Sequence, residues 1–405
     1  MVVGFYITKI DQKEGGIYQY ALYLLRMLIK CEEIKQVVLF HSAGQIDDLK
    51  TYIDNPKVKS AIYNPDGRIK KFRRKLAEFY LTRYYLKKHK SEFPLLLYKF
   101  LSPERQYLNK FKIDFLHVPK QHAPAYRLHF PVIISMHDVQ QFHFPEFFTP
   151  LERIYKSINY YISISEAEHV IVSYNHVKND LLKYFESVKN KVTVCPVPID
   201  EDWAADTPET PAEELREKYQ IPETFILTPA ATWEHKNHIS VLEALLLLKQ
   251  EGKKIFWVST GHKTSFYSKL EEKVEKMGLN DQVKFTGVVP DADLKGLYRI
   301  AKLVVIPTLY EAGSGPLIEA MRYGTPVICS NVTSLPDTIG CNDFMFDPLD
   351  KSRIAELIRE ALNNDDFLEK NKANSIKRIQ SLTVNNYQKE FIFAYRQAIS
   401  AKPIQ

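Results

Sequence analysis

The segment from Leu303 to Ser330 constrains this chain more than any other. Leu303-Val-Val-Ile306 is a continuous apolar run, the pattern of a strand buried on both faces. A Gly313-Ser-Gly315 loop follows, then Pro316 where the sequence marks the first helical position, then Pro326–Cys329 as a second strand. Pro at that position needs no donor, and the glycines let backbone N–H groups come close to a ligand. Two carboxylates bracket the loop: Glu311 before it, and Glu319 in the expected first turn of the helix. A helix N-terminus favours anions such as phosphate, so acids beside it need another reason. Binding neutral hydroxyls next to a phosphate is one, and that combination suits a sugar nucleotide. The plainer alternative is that Glu319 only complements the helix dipole. Counted from Pro316, however, the capping-box position is Ile318, one residue before Glu319.

The same alternation runs along the rest of the chain. Val2–Thr8 reads as a strand, and the helix after Gly16 carries Ile17, Tyr20, Ala21, Leu24, Leu25 and Leu28 on one face. Val37–His41, Phe115–Val118, Val132–Met136, Val170–Val172 and Lys191–Cys195 read as further strands. A Pro- and acid-rich break, Val197–Glu213, is the expected linker, and Phe225–Pro229 opens a second series that continues to about residue 380. At 405 residues the chain exceeds one ordinary domain. Short apolar strands alternating with helices predict an α/β protein with two doubly wound, parallel-sheet domains, 1–200 and 206–384.

In open parallel sheets ligands bind beyond the carboxyl ends of the strands. Gly16, His137, the Thr232–His238 loop and the Glu311–Gly315 loop all follow strands, so the pattern predicts that they converge. Lys236 lies in a loop that opens a helix, with Asn237 or His238 near the cap, and is the expected cation for a pyrophosphate. His117, His122 and His129, or His235 and His238, offer ring nitrogens to a metal, but no HExxH or Cys/His spacing accompanies them. No metal and no cofactor are expected.

The residues from Glu311 to Val327 resemble the signature of retaining GT-B glycosyltransferases of the GT4 group: Glu311, seven residues, Glu319, Ala320-Met321, Gly324 and a Pro-Val strand. Gly15-Gly16-Ile17, His137-Asp138, Ser173, Val192–Asp200, Thr228–His238 and Val283–Val289 fit the same family in the same order. The resemblance implies two Rossmann-like domains facing across a cleft, the first on the acceptor side and the second binding the donor. It also implies that the closing helix, within 385–405, packs back onto the first. By the same resemblance Glu319 binds the ribose hydroxyls, and Glu311 contacts the transferred sugar and stabilises a developing oxocarbenium ion. Backbone N–H groups of Gly313, Ser314 and Gly315 hold sugar or phosphate, and Gly16 does the same for phosphate or acceptor, with Gly15 beside it. His137 touches the donor sugar near the reacting carbon, and Asp138 orients the imidazole or the acceptor. Transfer would follow front-face attack, with the leaving phosphate as base.

The chain departs from this pattern in three places. Many relatives carry an Arg where Ala231 stands, so His235 or His238, or backbone N–H groups with Lys236, would have to compensate. Relatives often have an aromatic at Gly313 and a Gly at Ser314. The resemblance implies transfer from a nucleotide-diphosphate sugar to a hydroxyl of a lipid-linked glycan or surface-polysaccharide precursor. The Thr232–His238 segment has the character of mannosyl- or rhamnosyl-type members, which makes GDP-mannose the expected donor. Two rivals are a GT-B-like binding or scaffold protein with reduced turnover, favoured only by Ala231, and a nucleotide-sugar epimerase. A dinucleotide dehydrogenase would want a GxGxxG turn after the first strand, which Ile10–Gly16 does not supply.

Hydrophobic content of 45% and charged content of 26% describe a globular protein. No run of about 18 apolar residues occurs, and the first residues read as a strand rather than a signal peptide. Four cysteines lie far apart without CxxC spacing, so a reducing cytoplasm is expected. Net charge is +6, but Arg68 to Lys90 holds many cations and one acid, Glu78. Phe72, Leu76, Phe79, Tyr80 and Tyr84 recur there at roughly helical spacing, and Phe93–Leu101 follows. Segment 68–101 is therefore expected to attach to an anionic membrane surface, the alternative being an apolar stripe packed on the protein's own core. No nucleic-acid recognition motif accompanies the charge.

Overall fold

The structure is a computed structural model, and it describes residues 1–8, 10, 16–64, 67–87, 91–197, 208–382 and 384–402, with backbone alone for 384–386. Gly15, residues 88–90 and the 198–207 part of the expected linker lie outside the described residues. The chain divides into two compact units, Met1–Asp200 with Val384–Gln405, and Glu201–Thr383.

The first unit holds seven parallel strands: β1 (Val2–Tyr6), β2 (Gln36–His41), β3 (Val58–Ile62), β4 (Phe115–Val118), β5 (Val132–Met136), β6 (His169–Val172) and β7 (Val192–Val194). Their order is β3-β2-β1-β4-β5-β6-β7. The central strands β4, β5 and β6 are buried at every position, which is why they read as unbroken apolar runs. Strand β3, at the sheet edge, buries only Val58 and Ala61 and gave no such signal. The closing helix Val384–Ala401 belongs to this unit: Phe391, Ala394, Tyr395 and Ala398 join the core of Val3, Phe5 and the helix Gly16–Lys30.

The second unit holds β8 (Ile226–Pro229), β9 (Trp257–Thr260), β10 (Val283–Gly287), β11 (Leu303–Ile306), β12 (Val327–Ser330) and β13 (Met345–Phe346). These are also parallel, in the order β10-β9-β8-β11-β12-β13. Gly261, just past β9, has φ +126°, and a Cβ there would stand 2.6 Å from the Ala231 nitrogen. Only glycine lets the β9 turn lie against the loop that follows β8.

Each sheet reverses its strand order once. The reversal falls between β1 and β4 in the first unit and between β8 and β11 in the second. In doubly wound sheets these switch points leave a crevice beyond the carboxyl ends, where ligands bind.

Segment 68–101 forms two packed helices, Arg68–Leu86 and Phe93–Leu101. Ala77, Leu81, Tyr84 and Tyr85 face inward, so one stripe of the helix, with Tyr84 from the aromatic series, packs on the protein's own core. Arg74 is also drawn inward, where its Nε donates to Glu104 Oε1. A second apolar set remains outside: Ile69 is 77% exposed, Phe72 67% and Phe100 72%. Among the described residues no helix is long and apolar enough to cross a membrane.

Candidate active site

The second unit brings two of the sequence-selected residues into direct contact at its switch point. Lys236 follows β8 and Glu311 follows β11, and Lys236 Nζ donates to Glu311 Oε2 at 2.5 Å. The backbone around each partner is held independently. The Leu309 nitrogen and Thr308 Oγ1 both donate to the His235 carbonyl, at 2.8 and 3.0 Å. Asn237, with φ +56°, sends Nδ2 to the carbonyls of Pro307 and Pro348 at 2.9 and 2.8 Å. Its Oδ1 accepts from Ser240 Oγ at 3.0 Å. On the other side the Glu311 nitrogen donates to Thr333 Oγ1 at 3.0 Å, and the Glu311 carbonyl accepts from Thr333 and Ser334 hydroxyls, both at 2.8 Å.

Thr333 carries φ +52°, an uncommon conformation for a β-branched residue. Backbone in such regions persists only where the surroundings over-determine it. Here the surroundings are the Glu311 main chain. Asn237 and Thr333 thus fix the two ends of the Lys236–Glu311 pair. Sequence reading placed Asn237 only near a cap and did not single out Thr333, since partners 22 residues away leave no local signal.

The Gly313–Gly315 loop differs in register from the expectation. The helix is Gly315–Arg322, and Ser314 is its N-cap, with Oγ accepting from the Leu317 nitrogen at 3.3 Å. Pro316 is therefore the second helical residue, and Glu319 lies beyond the first turn rather than in it. A dipole-complementing role for Glu319 loses its geometric basis, because that effect is confined to the first turn. Its side chain instead runs back toward the helix start: Oε1 lies 3.7 Å from where a Cβ on Gly315 would be. Tyr298, on the helix Asp291–Ile300, donates its hydroxyl to Glu319 Oε2 at 2.7 Å. Burial raises the Glu319 carboxyl above its ordinary range, and the Tyr298 bond works against that rise. Gly313 is exposed and Ser314 buried.

His235 and His238 fare differently as stand-ins for the missing Arg at Ala231. His238 is buried, with Nε2 3.1 Å from Ser259 Oγ and its ring 5.9 Å from Trp257, so it belongs to the core and not to an anion site. His235 is only half-buried, but burial and then the neighbouring Lys236 lower it to about 4. It is neutral near pH 7 and contributes no full charge.

In the first unit His137 follows β5, with Nε2 3.1 Å from the Pro119 carbonyl. The Tyr20 ring meets it edge-on at 4.7 Å. Asp138, the next residue, accepts from the Gln140 nitrogen through its Oδ1 at 3.3 Å. Behind His137 runs a buried chain that sequence reading missed. Tyr20 OH is 3.0 Å from Ser135 Oγ, Ser135 Oγ 2.9 Å from His117 Nε2, and His117 Nδ1 3.0 Å from Tyr395 OH. Burial lowers His117 to about 3, so it is neutral and links the closing helix to the contacts of His137. Gly16 begins its helix, and among the described residues a Cβ there would meet nothing within 4 Å. Among the described residues no group of three or more His, Cys, Asp or Glu could hold a metal ion.

Two families match the chain in tandem. Glycosyltransferase Family 4 matches residues 15–203, and Glycosyl transferases group 1 matches residues 211–378. O-antigen chain mannosyltransferase B of Escherichia coli is 28% identical over 390 residues, which are 94% of this chain and 96% of that protein. The serotype-specific mannosyltransferase WbdA of the same organism is 30% identical over 223 residues, 54% of this chain and 27% of that longer protein. Among solved structures, a glycosyltransferase from Rickettsia africae ESF-5 superposes with a TM-score of 0.70 at 17% identity, covering 98% of both chains. The chain belongs to the GT4 group of GT-B glycosyltransferases.

Proposed function

We propose that the chain is a retaining hexosyltransferase that moves mannose from GDP-mannose to a hydroxyl of a lipid-linked glycan or surface-polysaccharide precursor. The observation that carries this reading is the Lys236–Glu311 pair at the β8/β11 switch point, with Glu319 behind the adjoining helix start. Lys236 supplies the cation that neutralises charge growing on the departing diphosphate. Glu311, next to it, accepts hydrogen bonds from the transferred sugar and offsets positive charge at its anomeric carbon. Glu319 accepts from the ribose hydroxyls, with Tyr298 holding one of its oxygens in place. The N–H groups of Gly313, Ser314 and Gly315 receive sugar or phosphate oxygens at the helix start. His137 contacts the donor sugar, and Gly16 opens the helix that faces phosphate or acceptor. No metal takes part. The mannose donor is supported by the relative that spans 94% of this chain, an O-antigen chain mannosyltransferase.

The same reading seats the protein on the inner face of an anionic membrane. Ile69, Phe72 and Phe100 offer apolar area to the lipid boundary, and Arg68, Lys70 and Lys71 lie exposed on the same helix as Ile69 and Phe72. A thermal-shift screen of nucleotide sugars tests the donor. GDP-mannose should raise the midpoint more than UDP-glucose or UDP-galactose, because a ligand that binds only the folded state stabilises it by mass action. No shift with any nucleotide sugar would defeat the proposal.

A further inference from the structure

Glu311 follows β11, yet its main chain is gripped from the loop that follows β12. One hydroxyl takes both of its backbone groups: the Glu311 nitrogen donates to Thr333 Oγ1 at 3.0 Å, and Thr333 Oγ1 donates to the Glu311 carbonyl at 2.8 Å. The same carbonyl accepts from Ser334 Oγ at 2.8 Å and from the Ser334 nitrogen at 3.4 Å. Lys236, the partner of Glu311, has a separate set of supports in Asn237, Thr308 and Leu309. A change at Thr333 therefore acts on Glu311 and leaves the backbone under Lys236 in place.

Thr333 makes these contacts from φ +52°, a region that β-branched side chains avoid. Its loop is anchored at both ends, so the conformation cannot relax. Before it, Ser330 Oγ donates to the Ile306 carbonyl at 3.2 Å and the Asn331 nitrogen to the Phe346 carbonyl at 2.8 Å. After it, Ser334 is buried and its carbonyl accepts from Thr338 Oγ1 at 2.8 Å, while Leu335 and Ile339 of the helix Leu335–Ile339 enter the core. From behind, Arg378 Nε donates to the Thr338 carbonyl at 3.0 Å. A turn alone would be served with less strain by glycine. Threonine adds what glycine lacks, a hydroxyl that donates and accepts at once. Strain of this kind persists at sites where the geometry it enforces is used.

We propose that Thr333 is a positioning residue for recognition of the transferred hexose: its hydroxyl sets the main chain of Glu311, and through it the place where the carboxylate meets the sugar. The proposal rests on the reading of Glu311 as the sugar contact, and it gives Thr333 no part in holding the nucleotide.

Calorimetry on the full chain, with GDP and with GDP-mannose as probes, tests it in the unmodified protein and three variants. Thr333→Gly removes the hydroxyl and relieves the backbone, Thr333→Val removes the hydroxyl and keeps the shape, and Thr333→Ser keeps the hydroxyl. GDP should bind all four alike, because Lys236 and Glu319 retain their own supports. GDP-mannose should bind Thr333→Gly and Thr333→Val about tenfold more weakly than the unmodified protein, the worth of one hydrogen bond to a charged group. Thr333→Ser should restore it. Circular dichroism melts identify a variant that has lost its fold, and Thr333→Gly reports on the hydroxyl even where Thr333→Val unfolds. A purely structural role would weaken both ligands together or neither. Equal weakening of GDP and GDP-mannose, or unchanged GDP-mannose affinity in Thr333→Gly, overturns the proposal. An unmodified protein that binds GDP-mannose no more tightly than GDP would remove the sugar contact of Glu311 and the proposal with it, whereas a Thr333→Gly variant that matches the unmodified protein removes the proposal alone.

Discussion

Lys236 Nζ lies 2.5 Å from Glu311 Oε2, joining the loop after β8 to the loop after β11 where the second sheet reverses. The pair is only partly screened, with side-chain exposures of 20% and 14%. An amine so placed acts in a lower dielectric than water allows, which strengthens its pull on any charge that develops nearby.

Lys236→Ala should therefore lower kcat/KM for the donor by roughly two to three powers of ten. Steady-state kinetics with GDP-mannose checks it. A change below about threefold would mean that the amine carries no transition-state charge.

Glu319→Ala should weaken nucleotide binding, since it removes the acceptor that Tyr298 holds in place. Tyr298→Phe should do so less, and should also cost about 1–3 kcal/mol of stability by leaving a buried carboxylate oxygen without its donor. Calorimetry with GDP and GDP-mannose measures the first effect and denaturant melts the second. Equal affinities for Glu319→Ala and the unmodified protein would refute the ribose assignment.

Ser135→Ala breaks the buried chain between Tyr20 and His117, stranding two polar groups. The cost should be about 1–3 kcal/mol. If Tyr20 sets the ring of His137, kcat should fall while donor affinity holds. Unchanged kcat at reduced stability would confine the chain to a structural role.

Acid should destabilise the protein through its buried histidines. Burial lowers His169, His235 and His238 to about 4 and His117 to about 3, from 6.5. Between about pH 6.5 and 4 the unfolded chain takes up protons that the folded chain refuses, so stability falls as pH falls. Glu319, raised by burial, works in the opposite direction. Urea midpoints across this range should drop toward acid, and His117→Gln should flatten the slope.

Replacing Phe72 and Ile69 by Asp, or Arg68, Lys70 and Lys71 by Gln, should lower partition onto phosphatidylserine or phosphatidylglycerol vesicles. Each lost cation is worth about 1 kcal/mol near such a surface. Sedimentation with vesicles measures it. Equal partition would remove the membrane contact, and Arg74 makes a poor target because it is paired with Glu104 inside.

The apolar runs told where β4, β5 and β11 lie, because strands buried on both faces have no polar positions to blur the pattern. Edge strand β3 and the two-residue β13 escaped notice: one alternates irregularly, the other is too short to carry a period. The candidate residues Lys236, Glu311, Glu319 and His137 were legible as chemistry following a strand, since order along the chain fixes which loop a side chain occupies.

Their partners were not legible. Thr333 and Ser334 under Glu311, Tyr298 on Glu319, Tyr395 on His117 and Arg74 on Glu104 all join segments distant in sequence. Local composition sets which segments become strands and helices. Contacts between distant segments depend on strand order and register, and those are chosen only when the whole sheet packs at once.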